Sequence, residues 1–181
     1  YLPGHQLYYA IKANPNLAIV RLMKNAYPGI GVDCSTRGEL KIALDAGFEK
    51  EKLVYTGNYE SFADLKYALN IGLPVNFDDI SSYQRCRTMG LPEVVSFRVN
   101  PGEGRGMYPG TTTAGKGVKF GTPVDRIRGA YEMALEDNVK HFGLHTMVGS
   151  GILDNNYFAF NADRILKIAR DLEEQLGITF Q

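Results

Sequence analysis

The sequence predicts an α/β fold built from parallel βα units. Three observations carry this: strand-like runs alternate with amphipathic helical stretches, the first five runs start roughly 20 to 25 residues apart, as a minimal βα repeat requires, and most helical stretches bring their own start and stop signals. At 181 residues the chain is long enough for one domain with a real core, and short of the roughly 250 residues of a complete eight-unit barrel.

The first strand-like run, residues 7–13, holds Tyr8, Tyr9 and Ile11 and leads into Asn14-Pro15, which read as a helix N-cap and a proline-tolerant first helical position. Leu17, Val20, Leu22 and Met23 then set an apolar stripe over residues 17–26. The second run, 31–34, ends in Asp33-Cys34. Thr36 and Glu39 stand in capping-box spacing before a helix over 40–46, which Gly47 terminates. Between the third run (53–56) and the fourth (74–77), Ser61 and Asp64 repeat that device ahead of a helix over 65–70. The fifth run, 94–100, is apolar apart from Ser96, Arg98 and Asn100. Residues 101–120 (PGEGRGMYPGTTTAGKGVKF) show almost no periodicity and predict a long surface loop, a kind that is usually functional or disordered. Its glycines could cradle a phosphate, although no strand-to-helix phosphate fingerprint is present. Thr122, Pro123 and Asp125 predict the start of a helix carrying Ile127, Tyr131 and Ala134, and a sixth strand follows over 142–147. Ile165, Leu166, Ala169, Leu172 and Leu176 mark a last helix that Gly177 ends, and residues 178–180 begin another strand.

Composition narrows the function. Lys+Arg and Asp+Glu balance at 20 each, so no global basic field recruits nucleic acid or an anionic membrane, and a small-molecule partner is favoured. Hydrophobic residues at 44% fit a folded protein. No apolar run approaches a membrane span of roughly 18 residues, and no signal peptide opens the chain. Cys34 and Cys86 have no metal-type spacing and cannot form a disulfide framework, which sets a reducing, cytoplasmic location as the default.

Lys12 is the most informative side chain. A lysine at the carboxyl end of a strand, where βα-barrel sites lie, can act as a Schiff-base amine if burial lowers its pKa; a lysine that simply reaches solvent is the plain alternative. Other chemistry-bearing residues fall at corresponding positions: Asp33 in GVDCSTRGEL, Gly57-Asn58 in YTGN, Asp78 in VNFDD, Arg98 in FRVNPG, and the segment from His145 to Ser150 in GLHTMVGSG.

With YYAIKANPN around Lys12 and Lys119-Phe120-Gly121, this ordered series resembles the barrel domain of the fold-type III pyridoxal phosphate-dependent decarboxylases over essentially the whole chain. That family includes the diaminopimelate, ornithine and arginine decarboxylases, with alanine racemase a more distant fold relative. The resemblance implies a TIM-like (β/α)8 barrel, incomplete here at about six βα units, so that residues 1–181 would be a partial cofactor-binding barrel domain lacking the family's C-terminal β-domain. It implies pyridoxal 5'-phosphate as cofactor, with Lys12 forming the Schiff base, and a homodimeric full-length enzyme. Asp33 and Arg98 match residues beside the cofactor, and Gly149 and Ser150 match the turn that contacts its phosphate. Asp33 could equally cap the next helix, and Glu39, which matches a further pocket acid, has the spacing of a helix cap.

The chain departs from the pattern at Met147, where diaminopimelate decarboxylases carry a histidine that stacks on the pyridine ring. His145 holds the position of the motif's first histidine. Strand alternation would point His145 and Met147 to the same side. A thioether can pack on an aromatic ring but cannot exchange a proton. The resemblance implies a decarboxylase, closest to the meso-diaminopimelate branch of lysine biosynthesis because of NPGEGRG, the Thr-rich loop ending in KFG, and GSGILDNNYF. An arginine, ornithine or siderophore-pathway decarboxylase, or a non-catalytic cofactor-binding paralogue, are the alternatives. The family's glycine-rich phosphate loop and the acid paired with the pyridine nitrogen find no match, so the 181 residues alone are expected to be inactive.

Overall fold

The structure is a computed structural model that describes residues 4–181, the side chain of Pro109 excepted. The chain divides into two compact units, residues 1–75 with 85–93 and residues 76–84 with 94–181. It crosses between them within a short strand, β4 (Val75–Phe77), and the helix that follows, α4 (Ile80–Arg87).

In the first unit, β1 (Tyr8–Ala10), β2 (Gly31–Cys34) and β3 (Leu53–Gly57) pair in parallel. The register sets Ala10 beside Asp33 and Asp33 beside Val54. The helices α1 (Leu17–Ala26), α2 (Arg37–Asp45) and α3 (Phe62–Asn70) connect the strands in βα order. Val32, Cys34, Leu53 and Tyr55 of the sheet are buried, as are Val20, Leu40, Ala43, Leu65 and Ala68 of the helices. Burying each larger aliphatic side chain contributes about 1.5–3 kcal/mol. Asp33 and Thr56 alternate with those core residues, so they belong to the opposite face of the sheet.

The second unit is centred on β5 (Val94–Asn100), which pairs in parallel with β6 (Thr122–Pro123) and with β7 (His141–His145). Helices α5 (Val124–Glu136) and α6 (Asn155–Leu176) follow these strands. Its core is a run of edge-to-face or tilted aromatic contacts: Phe77, Tyr83, Phe97 and Tyr131 succeed one another at ring separations of 5.1–5.4 Å, and Phe180 packs on Tyr131 at 5.3 Å. Such pairs contribute about 0.5–1.5 kcal/mol beyond their buried area. The two buried phenols are satisfied, Tyr83 Oη donating to Asp137 at 2.7 Å and Tyr131 Oη to the Gly143 carbonyl at 2.7 Å. The strand expected at 178–180 is a single parallel bridge, Phe142 with Phe180.

The structure differs from the sequence expectation at several further places. The first strand stops at Ala10, and Ile11–Ala13 form one turn of 3-10 helix. Asn16 caps α1, accepting from Ala18 N, while Asn14 makes an Asx turn by accepting from Asn16 N. Thr122 and Pro123 lead into α5 as expected, with Pro123 at the N-cap position, but no side chain caps the helix and the same two residues also pair as a short strand with Val99 and Asn100. Helix α4 was not expected: ISSYQRCR shows only Ile80, Tyr83 and Cys86 as apolar positions, too few for a stripe. Residues 101–120 are largely irregular, as expected, yet they do not all lie on the surface, since Ala114 is 2% exposed and packs with Val148 and Tyr157.

Candidate functional site

In the first unit, Lys12 sits in the 3-10 turn just past the end of β1, its side chain exposed. Asp33 of β2 lies half-buried one strand away, and the Lys12 charge acts on its carboxyl. Burial is the larger influence and raises the Asp33 pKa above its ordinary value, while a hydrogen bond from Thr56 and the Lys12 charge pull it back down. Asp33 Oδ1 is buried and meets no hydrogen-bond partner among the described residues. The carboxylate therefore keeps one acceptor position open where the Lys12 charge is felt. It does not cap α2: Thr36 does, accepting from Glu39 N at 3.2 Å, and Glu39 reaches back to accept from Ser35 N at 2.6 Å. Glu39 is thus occupied with closing its own helix start. Cys34 points to the buried face, where burial pushes its thiol far up and leaves it an unreactive core residue.

In the second unit, Arg98 is the centre. Its guanidinium is buried and meets Asp78 at 2.9 Å, with the two side chains 4% and 1% exposed. A buried guanidinium requires an anion, and Asp78, at the end of β4, supplies it. Burial still outweighs the pull of Arg98 and raises the Asp78 carboxyl above its ordinary value. The other guanidinium nitrogen, Nη2, donates to the Thr113 carbonyl at 3.0 Å and reaches the Met147 carbonyl at 3.5 Å. Thr113 Oγ1 donates to that same Met147 carbonyl at 3.1 Å. His145 ends β7, in register with Arg98. Met147 lies beyond the strand, so the two do not share a strand face by alternation; the chain leaves extended pairing at Thr146, whose hydroxyl donates to the Val99 carbonyl at 3.1 Å.

Gly149 and Ser150 form the turn that follows. Gly149 has φ +151°, and a Cβ there would stand 1.4 Å from the Arg105 carbonyl oxygen, so only glycine fits. Ser150 is exposed at the tip. The sequence pointed to Lys12, Asp33, Arg98, His145, Met147, Gly149 and Ser150, but missed the roles of Thr56, Asp78 and Thr113. Asp78 was visible as a strand-end acid, and a lone arginine in an apolar strand was the signal that an acid had to meet it. Thr56 and Thr113 carry no sequence signal, since their partners are fixed by strand register and by an irregular loop.

The whole chain, residues 1–181, matches the family described as pyridoxal-dependent decarboxylase, pyridoxal binding domain. It is 35% identical to diaminopimelate decarboxylase of Thermoplasma acidophilum and 36% identical to that of Methanothermobacter thermautotrophicus, in each case over 97% of the chain. The crystal structure of diaminopimelate decarboxylase from Helicobacter pylori complexed with L-lysine superposes on 99% of the chain with a TM-score of 0.88, at 26% identity. The chain spans 43%, 41% and 47% of these three proteins, less than half of each. Its parallel α/β fold is accordingly part of the TIM-like barrel of the fold-type III decarboxylases. By this match along its full length, the chain belongs to the pyridoxal-dependent decarboxylases and corresponds to their pyridoxal-binding domain.

Proposed function

We propose that this chain is the cofactor-binding part of an amino-acid decarboxylase whose substrate is meso-diaminopimelate, in the route to lysine, and which works as a cytoplasmic homodimer. The observation that carries the substrate assignment is the 35–36% identity to diaminopimelate decarboxylases along nearly the whole chain. Two features support a fit to pyridoxal 5'-phosphate. Asp33 keeps a buried acceptor open where the Lys12 charge is felt, and the Gly149–Ser150 backbone takes a course that no side chain at 149 would permit.

In this reading, which follows the family resemblance, Lys12 would hold the cofactor through its aldehyde, Gly149 and Ser150 would hold its phosphate, and Asp33, Arg98, His145 and Met147 would be the other residues toward it. When bound, pyridoxal phosphate supplies an electron sink for the pair left on the substrate α-carbon as carbon dioxide departs. The protein's own work is positional and electrostatic. The Lys12 charge and the Thr56 hydrogen bond both favour the ionised form of Asp33, against the burial that opposes it. The Arg98 charge is matched by Asp78, so the pair adds no net charge to its surroundings and serves to hold the Thr113 and Met147 carbonyls in place. Met147 offers a polarizable contact and no proton.

The test is to supply the full-length protein with pyridoxal phosphate and, separately, meso-diaminopimelate, ornithine and arginine, and to measure carbon dioxide and amine products. Carbon dioxide and lysine from meso-diaminopimelate are expected. Release from ornithine or arginine instead would move the substrate, and no release from any of them, with cofactor still bound, would favour a second reading as a non-catalytic cofactor-binding paralogue, which the methionine at 147 motivates. Borohydride reduction of the loaded protein should leave the cofactor on Lys12, and a label on another lysine would remove Lys12 from its role.

A further inference from the structure

The Gly149–Ser150 turn does not stand alone. The segment from Gly104 to Met107 runs beside it as a strap: Arg105 N donates to the Val148 carbonyl at 2.9 Å, and Met107 N donates to the Ser150 carbonyl at 3.1 Å. Tyr157 of α6 sends its hydroxyl to the same Val148 carbonyl at 3.3 Å, with Tyr157 buried against Val148 and Ala114. The Met147 carbonyl, as described, is held by Thr113 and Arg98. Three carbonyls of the turn, at 147, 148 and 150, are therefore tied into the protein.

This matters for an anion. A carbonyl oxygen turned toward a phosphate repels it, while backbone amides and a serine hydroxyl attract it, so a turn that binds phosphate has to keep its carbonyls directed elsewhere. The approach of strap and turn is close enough to depend on glycine. A Cβ at Gly104 would lie 2.8 Å from the Val148 oxygen and 2.4 Å from the Ala114 oxygen, so an alanine there would strike the carbonyl that Arg105 N holds.

We infer that Gly104, through the strap it permits, and Tyr157 are positioning residues that preset the Gly149–Ser150 turn for the phosphate of the cofactor. The inference rests on the reading of Gly149 and Ser150 as the phosphate turn. It assigns a task to the GEGRG stretch and to a tyrosine of α6.

The experiment measures equilibrium binding of pyridoxal phosphate and of pyridoxal, which lacks the phosphate, to the full-length apoprotein without substrate. The comparison covers the parent, Gly104→Ala, Tyr157→Phe and Ser150→Ala. Gly104→Ala should lower the preference for the phosphorylated ligand by on the order of ten-fold, and Tyr157→Phe by a smaller factor, with pyridoxal binding little changed. A general loss of structure would weaken both ligands alike, and that outcome overturns the positioning role, as does an unchanged preference in both variants while Ser150→Ala loses it. If the parent shows no preference for the phosphate, or Ser150→Ala keeps it in full, the reading of the turn itself has failed. Tyr157→Phe keeps the buried ring and removes only the hydroxyl, so it remains informative if Gly104→Ala does not fold.

Discussion

Asp33 shows how one residue's surroundings set both stability and chemistry. Burial raises its pKa above the ordinary 3.8, and neither the Thr56 hydrogen bond nor the Lys12 charge fully reverses this. A carboxyl whose folded value is raised binds more protons in the folded chain than in the unfolded one between the two values. Stability therefore falls as pH rises from about 4 through the folded value, and stays at the lower level above it. Replacing Asp33 by Asn removes the cost of ionising a half-buried carboxyl. Asp33→Asn should be more stable than the parent to chemical denaturation at pH 7.5, with the gain shrinking toward zero near pH 4. A variant less stable than the parent at pH 7.5 would mean that the attraction of Lys12 outweighs burial. The contrast with Asp78 is instructive, because there the neighbouring charge is itself buried, and removing the acid would strand the Arg98 guanidinium at a cost of about 3–5 kcal/mol.

At the level of elements, helix α2 is held by a reciprocal cap in which Thr36 serves the Glu39 amide and Glu39 serves the Ser35 amide. Thr36→Ala should cost about 1 kcal/mol in thermal or chemical denaturation, and Thr36→Ser much less, since serine keeps the accepting oxygen. Equal losses in the two would show that the threonine methyl, and not the hydroxyl, does the stabilising. These caps also show what the sequence could reveal. Thr36-Glu39 and Ser61-Asp64 signal their helices within four residues, and Gly177, at φ +67°, ends α6 as expected. Local rules failed where a long-range partner decided the outcome. Thr122-Pro123 leads into α5 as its residues suggest, but the strand pairing of the same backbone to Val99 and Asn100 has no local signal. Asn14 looks like a cap, but the 3-10 turn at Ile11–Ala13 defers the helix to Asn16. The candidate site followed the same division. Single residues such as Lys12, Asp33 and Arg98 stood out by type and position, whereas the carbonyls of Val148 and Ser150 depend on a strap about forty residues earlier in the chain and that of Met147 on Thr113 and Arg98.

Over the whole molecule, charge and sheet edges act together. The 20 basic and 20 acidic residues cancel, the isoelectric point is about 7.0, and a chain without net charge has no long-range repulsion to keep copies apart. Strand β1 pairs with β2 on one side, and no other strand among the described residues pairs with it. Leu7 and Tyr8 along it are 52% and 39% exposed. An edge that offers backbone groups and apolar side chains is a template for another copy of the chain, and proteins commonly block such edges with lysine. Association of the 181-residue chain should therefore be strongest near pH 7 and fall toward pH 5 and pH 9, where net charge of either sign builds. Leu7→Lys should reduce it at pH 7, because the change places a charge on the edge while Leu7 contributes only its backbone carbonyl, to Gly31 N and Gln6 Nε2, within the described hydrogen bonds. Light scattering across that pH range, on both proteins at matched concentration, checks the expectation. A pH dependence that survives unchanged in Leu7→Lys would assign the association to net charge alone, and an effect of Leu7→Lys at every pH would assign it to the edge.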